Sequence, residues 1–180
     1  MEEVEVTLPY IARAATQQHI SWIGGSVHRV VLDAEATENR LAMFRSSMRG
    51  GTASPVHVHD REDETVFLLE GEGIFWAGEQ RWELKSGDTA FLPRGVPHTY
   101  LFTSDTVEVI TVCNPAGMEE FFRAAGWDLS NPQPRDWAVD VEAMRSAAAA
   151  CGQRVLGPPL AAGDEMPAAY LCSGDASTLR

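Results

Sequence analysis

The sequence has almost no lysine, few cysteines and no long hydrophobic run. Lys85 is the single lysine beside thirteen arginines, and the formal net charge is -12. Because such an acidic protein repels nucleic acid and anionic lipid, we expect neither a nucleic-acid partner nor a membrane partner. No segment approaches the roughly 20 apolar residues that a membrane span needs.

The cysteines are too few and too scattered to form a framework. Cys113, Cys151 and Cys172 are odd in number and form no C-x-x-C pair, which argues against a disulfide scaffold or a cysteine zinc knuckle. The acidic start, Met1–Glu5, lacks the basic and apolar regions of a signal peptide. We therefore expect a cytoplasmic protein, and a length of 180 residues fits one domain.

The centre of the chain has the pattern of β-structure. Short runs rich in Val, Ile, Phe, Leu and Trp alternate with clusters of Gly, Pro, Asn and Asp. The predicted strands are His28–Asp33, Arg40–Met48, Ser54–His59, Thr65–Glu70, Gly73–Ala77, Gln80–Leu84, Asp88–Leu92, His98–Phe102 and Thr106–Cys113. Many short, closely spaced strands favour a mainly β sandwich or barrel over a βαβ fold.

The pattern changes to helix after the last of these strands. Asn114 and Pro115 resemble an N-cap followed by a proline at the first helical position, and Gly126 is a plausible stop. A second C-terminal helix is predicted over Val139–Cys151. The expected organisation is an N-terminal segment 1–24, a β-barrel 25–113, C-terminal helices 114–152 and a surface tail 153–180.

Three histidines and one glutamate in the centre of the chain carry the chemistry. His57 and His59 are two residues apart on a predicted strand, so both side chains point to one face and form a ready pair of metal ligands. After a short turn, Glu64 opens the next strand, which can bring its carboxylate back over the pair. A third imidazole, His98, follows later. Glu62 is an alternative to Glu64 as the carboxylate.

The two segments around these residues resemble the signature motifs of the cupin superfamily. The first is a glycine, five residues, His-x-His, four residues, Glu, six residues and Gly, from Gly51 to Gly71. The second is Gly-x5-Pro-x-Gly-x2-His, from Gly87 to His98. Every fixed position is present except an asparagine that often closes the second motif, where this chain has Phe102. The resemblance covers roughly residues 25–113.

The resemblance implies a jelly-roll β-barrel that holds one divalent metal ion. The implied ligands are His57, His59, Glu64 and His98. Three imidazoles with one carboxylate suit iron, nickel, manganese, copper or zinc, whereas calcium and magnesium prefer more oxygen ligands. The alternative is that the histidines are ordinary polar residues of the barrel and bind nothing.

Other residues are candidates for substrate contacts. Tyr100 and Phe102 share strand parity with His98, so both should point into the barrel near the metal. Such walls favour an apolar or aromatic ligand over a sugar phosphate. The Tyr100 hydroxyl could donate a hydrogen bond or a proton to the substrate, which makes it a catalytic candidate beside Glu64.

Three further residues are predicted to contact the substrate. Val66 and Leu68 share parity with Glu64 and should line the same cavity, although ordinary barrel core is the alternative. His28 lies on a strand before the first motif, where a polar side chain could reach the cavity mouth. Nothing in the sequence anchors which way that strand faces.

A finer resemblance is to small bacterial single-domain cupins grouped with the quercetin 2,3-dioxygenases. It is carried by the residues 57–64, 91–98 and 114–122. It implies an oxidoreductase, a metal-dependent dioxygenase that acts on a flavonol-like or other enolisable aromatic molecule with dioxygen, and a homodimer. Two alternatives stay open: a non-oxidative isomerase, cyclase or lyase of the cupin type, and a non-catalytic cupin that binds a small ligand.

Overall fold

The computed structural model describes residues 8–171, so the Met1–Glu5 start and Cys172 lie outside the described part. Within that part the chain is mainly β, as predicted. The strands are β1 Gln18–Ser21, β2 Val27–Leu32, β3 Ala42–Arg49, β4 Val56–His59, β5 Asp63–Glu70, β6 Glu72–Ala77, β7 Gln80–Lys85, β8 Thr89–Leu92, β9 His98–Phe102, β10 Thr106–Asn114, β11 Trp127–Asp128 and β12 Gln153–Gly157. The α-helices are α1 Ala34–Thr37, α2 Met118–Ala125, α3 Val141–Ala150 and α4 Ala168–Leu171.

The strands form two antiparallel sheets. One has the order β11-β1-β2-β3-β10-β5-β8 and the other the order β12-β4-β9-β6-β7. Alternate residues of β3 are buried, which is the period-two pattern of a strand with one face toward a core. All nine strands predicted from the sequence are present, and their ends agree to within two residues.

The two ends of the chain add strands that the sequence did not predict. β1 lies in the expected N-terminal segment and pairs with β2. β12 lies where a surface tail was expected from residue 153, and it pairs with β4, with Val155 opposite His57. That expectation was wrong for Gln153–Gly157, because a short strand with polar residues gives no clear alternation in the sequence.

The C-terminal helices are present, with one difference at the first helix. Asn114 is the last residue of β10, and the N-cap of α2 is Gly117, so the predicted Asn114 cap was wrong. The buried Glu119 carboxylate accepts the Gly117 N–H at 2.8 Å, which satisfies one of the backbone N–H groups at the start of the helix. The helix ends at Gly126, as predicted. No helix within residues 8–171 has the length and apolar character needed to cross a membrane.

The close approach of β6 to β9 requires a glycine at position 73. A Cβ placed on Gly73 would lie 2.8 Å from Cδ1 of Phe102 and 3.2 Å from the Leu101 carbonyl oxygen. We therefore predict that Gly73→Ala lowers the free energy of unfolding by about 1–3 kcal/mol, as overpacking of a core does. Urea denaturation measures this change.

Gly163→Ala is the matched control, because a Cβ at Gly163 meets no atom within 4 Å. Its free energy of unfolding should stay within about 0.5 kcal/mol of the wild type. Equal denaturation midpoints for the two variants would show that the packing of Gly73 against Phe102 is not tight.

Candidate metal centre and its cavity

Four side chains converge between the two sheets. His57 and His59 project from β4, His98 from the neighbouring β9, and Glu64 from β5 of the other sheet. His57 and His98 are directly opposite each other in the β4–β9 pair. One potential ligand atom of each of the four residues lies within 4.8 Å of the other three. The structure thus brings together all four ligands implied by the sequence.

The glutamate contacts two of the imidazoles. Its Oε2 lies 3.6 Å from Nε2 of His59 and 3.4 Å from Nε2 of His98. The His57 ring lies 4.4 Å from the His98 ring and 5.0 Å from the His59 ring, measured between centroids. These are separations that a central cation can bridge.

Hydrogen bonds on the outer side of each histidine fix its orientation. Each Nδ1 has a partner within 2.9 Å: the Pro55 carbonyl oxygen for His57, the Glu62 carboxylate for His59 and the Val96 carbonyl oxygen for His98. Nε2 of His59 and Nε2 of His98 are buried and have no hydrogen-bond partner among the described residues. Buried polar atoms are nearly always satisfied, so these two fit a metal ion that accepts their lone pairs.

Glu62 lies behind His59 and not at the centre of the cluster. Its Oε1 accepts the Nδ1 proton of His59 at 2.8 Å, and the residue is 3% exposed. Glu64 faces Nε2 of the same ring. The carboxylate that faces the cluster is therefore Glu64, and Glu62 is placed to orient His59 and strengthen it as a ligand.

The electrostatics of the cluster keep His57 neutral and Glu64 ionised. Burial, followed by repulsion from the other two imidazoles, lowers the pKa of His57 to about 3. Burial opposes ionisation of Glu64, but contact with His98 and the neighbouring imidazoles outweighs it and lowers the pKa to about 2. At neutral pH the cluster thus offers a neutral imidazole and an ionised carboxylate, the forms that bind metal.

A cavity opens from this cluster toward the helices. His57 and Glu64 form part of its wall, and most of the remaining wall is apolar. Four of the five predicted substrate contacts line it: His28, Val66, Tyr100 and Phe102. Among the described residues that line the cavity there is no lysine and no arginine.

Leu68 was predicted to line the cavity and does not. It is 1% exposed and packs in the hydrophobic core with residues such as Phe75 and Val109. Strand parity correctly places Leu68 on the inner face of β5. However, strand parity does not predict how far along β5 the cavity extends. At Leu68 the space between the sheets is filled by side chains of the hydrophobic core.

Residues 44–113 match the family model for the cupin domain. The chain contains a cupin domain. It is 27% identical over 119 residues to the quercetin 2,3-dioxygenase of Bacillus subtilis, which covers 66% of this chain and 35% of that protein. It is 31% identical over 77 residues to an oxalate-binding protein of Thermotoga maritima, covering 42% of this chain and 64% of that one.

Solved structures agree on the fold. A cupin from Shewanella frigidimarina superposes with a TM-score of 0.52 at 20% sequence identity, over 62% of this chain and 96% of that one. The chain spans less than two thirds of the length of the curated relatives described above. The similarity therefore establishes the cupin barrel and leaves the substrate to be argued from the cavity.

The far wall of the cupin cavity comes from segments without a predicted role in the site. Phe121 and Phe122 of α2 line it together with Met144 of α3 and Trp22, which precedes β2. The apolar spacing of α2 predicted a buried helix face, but nothing in the sequence showed that this face covers the mouth of the barrel.

Tyr100 is placed to act as a hydrogen-bond donor in the cavity. Burial, together with the negative charge of Glu64, raises the pKa of its hydroxyl well above the usual value, so the hydroxyl stays protonated. The ring packs against Phe102, with centroids 4.8 Å apart. No hydrogen bond ties this hydroxyl to another residue of the described chain, so the proton is available to a bound molecule.

The position of Glu62 gives a test of the metal centre. Glu62→Ala should weaken zinc binding by about 10- to 100-fold, because it removes the hydrogen bond that orients His59. A competition titration against a chromophoric chelator measures the affinity.

Asp60→Ala is the control, since Asp60 is an exposed carboxylate nearby that pairs with Arg154 and not with a histidine. Its zinc affinity should fall far less than that of Glu62→Ala, because the exposed Asp60 carboxylate is screened by solvent and pairs with Arg154. If both variants bind zinc as the wild type does, Glu62 does not support the site.

Proposed function

We propose that this chain is a metal-dependent cupin dioxygenase that acts on a flavonol-like or other enolisable aromatic small molecule. One observation carries the proposal: the cluster of three histidines and Glu64 opens into a mainly apolar cavity with no described cationic side chain in its wall. The similarity to the Bacillus subtilis quercetin 2,3-dioxygenase supports the same reaction class.

His57, His59, Glu64 and His98 would hold one divalent metal ion. The donor set suits the first-row transition metals iron, nickel, manganese, copper and zinc. When bound, the ion would supply Lewis acidity, which lowers the pKa of a coordinated hydroxyl. The imidazoles are already oriented by their outer hydrogen bonds, so little reorganisation is needed to bind it.

Two side chains would assist deprotonation of the substrate, one as a base and one as a hydrogen-bond donor. An enolic hydroxyl that enters the cluster meets the Glu64 carboxylate, and we assign that carboxylate as the base that takes its proton. The Tyr100 hydroxyl would then donate a hydrogen bond to the substrate oxygen that becomes negative. Phe102 and Val66 pack beside these groups and keep water from the reacting atoms.

The wall of the cavity argues for an aromatic substrate over a small dianion. A small dianion could place one carboxylate at the metal ion, but its other charged group would need cationic or multiple hydrogen-bond partners, and within residues 8–171 the lining offers no lysine or arginine. Aromatic side chains from α2 and β9 offer stacking surfaces for a planar ring instead. We therefore favour a flavonol-like ligand over oxalate. The homodimer and the cytoplasmic location stay predictions.

Oxygen uptake tests the proposal. After loading with iron, nickel or manganese, the protein should consume dioxygen when 3-hydroxyflavone is added, and both atoms of isotopically labelled dioxygen should enter the products. Glu64→Gln should lower the rate by about 10²- to 10⁴-fold, as loss of a general base does. Metal content is measured in the same samples, so that a lost base is distinguished from a lost ligand.

Glu83→Gln is the control, because Glu83 is exposed and pairs with Arg81 outside the cavity. Its rate should equal that of the wild type. Conversion without oxygen uptake would contradict the dioxygenase and support a non-oxidative isomerase or lyase. Tight binding without any conversion would support a ligand-binding cupin.

A further inference from the structure

A second polar position lies in the same cavity, away from the metal cluster. His28 of β2 faces inward and is 5% exposed. Its strand partner is Ser46 of β3, whose buried hydroxyl lies 2.8 Å from Nδ1 of His28. Both side chains line the cavity. This pair is buried in mostly apolar surroundings and is not part of the cluster around Glu64.

The imidazole ring of His28 is held in one orientation. It stacks on Phe122 with centroids 4.1 Å apart and an interplanar angle of 27°. Trp22 packs edge-on at 6.1 Å, and Ser46 holds Nδ1. Because three neighbours fix the ring, the direction of its other nitrogen, Nε2, is fixed as well.

Nε2 of His28 has no hydrogen-bond partner among the described residues. Within residues 8–171, four buried side-chain atoms share this property: Ser26 Oγ, His28 Nε2, His59 Nε2 and His98 Nε2. The last two belong to the metal cluster. The first two belong to residues at alternate positions of one segment, and both residues line the cavity. Buried polar atoms nearly always have a partner. Ser26 Oγ and His28 Nε2 therefore indicate a second place where a bound group would complete the hydrogen bonding, in addition to the metal cluster.

The two polar positions are separated by the width of several strands. β3 and β10 lie between β2, which carries His28, and β5, which carries Glu64. Three strand spacings amount to roughly 14 Å along a flat sheet and less across a curved one. A two-carbon ligand is too short to contact both positions, whereas a planar molecule of two or three fused or linked rings is long enough.

The charge of His28 limits which ligand groups can pair with its Nε2. Burial lowers the pKa of His28 to about 3, so its ring is neutral at physiological pH. A neutral imidazole donates from one nitrogen and accepts at the other, so Nε2 can pair with a hydroxyl in either tautomer. With no described lysine or arginine in the cavity wall, an anionic group would be left without a counter-charge there.

We propose that Nε2 of His28, supported by Ser46, recognises an uncharged hydroxyl or carbonyl at the end of the substrate remote from the metal cluster. This inference rests on the proposed function and narrows it: the substrate is an elongated aromatic molecule with a polar group at each end. His28 is then a residue that determines specificity, and it takes no part in the proton transfer at Glu64.

Anaerobic binding to the zinc-loaded full chain tests the inference, with quenching of tryptophan fluorescence as the readout. The probes are 3-hydroxyflavone and two forms with one added remote hydroxyl, 3,4′-dihydroxyflavone and 3,7-dihydroxyflavone. The wild type should bind at least one dihydroxy form about tenfold more tightly than 3-hydroxyflavone, the gain expected from one buried hydrogen bond. His28→Phe should bring that ratio to about one.

Two more variants keep the result interpretable. His28→Gln retains a hydrogen-bonding group and should keep part of the preference, which separates recognition from a folding defect. His19→Phe is the control, since His19 lies on β1 and does not line the cavity, and it should keep the whole preference. A preference that persists in His28→Phe, or is absent from the wild type while 3-hydroxyflavone binds, overturns the inference alone. Failure of the wild type to bind any flavonol overturns the proposed function, and the inference with it.

Discussion

Three imidazoles and one carboxylate meet at a single point between two sheets, and the rest of the fold is arranged around that site, where His59, Glu64 and His98 are buried. Polar groups out of contact with water need partners. The outer nitrogens find theirs in Pro55, Glu62 and Val96, which leaves the inner nitrogens to face one another. The arrangement needs β4 and β9 in register and β5 opposite them. β12 contributes by pairing with the free edge of β4, which places the two-histidine strand inside its sheet.

The centre of this architecture follows from the sequence because a strand has a simple period. Alternation places His57 and His59 on one side, and the spacing of glycine and proline around them marks where the strands turn. All nine expected strands and the convergence of the four site residues are found. Strand alternation gave a wrong prediction for Leu68, because it predicts which face of the sheet a side chain is on and not how deep the cavity is. It could not orient His28, and it missed β12, because short strands at the chain ends are defined by what they pair with.

Some of the residues that would select the substrate lie outside the stretch that matches the family model. The cupin match covers residues 44–113, yet His28, Phe121 and Phe122 line the cavity from before and after it. Relatives can therefore share the cupin domain and differ in ligand, as the names quercetin 2,3-dioxygenase and oxalate-binding protein for two relatives of this chain illustrate. Tyr100 and Phe102 led to the prediction of an aromatic ligand from the sequence. Phe121 and Phe122 of α2, which add aromatic surface to the cavity wall, support that prediction.

Elemental analysis of the protein purified without a histidine tag tests most directly whether His57, His59, Glu64 and His98 bind a metal ion. We expect close to one equivalent of iron, nickel, manganese, copper or zinc per chain, and loss of that metal in His57→Ala. His19→Ala should keep it. A wild-type protein that carries no metal and takes none up from solution, or a His57→Ala variant that binds as much as the wild type, would contradict the account.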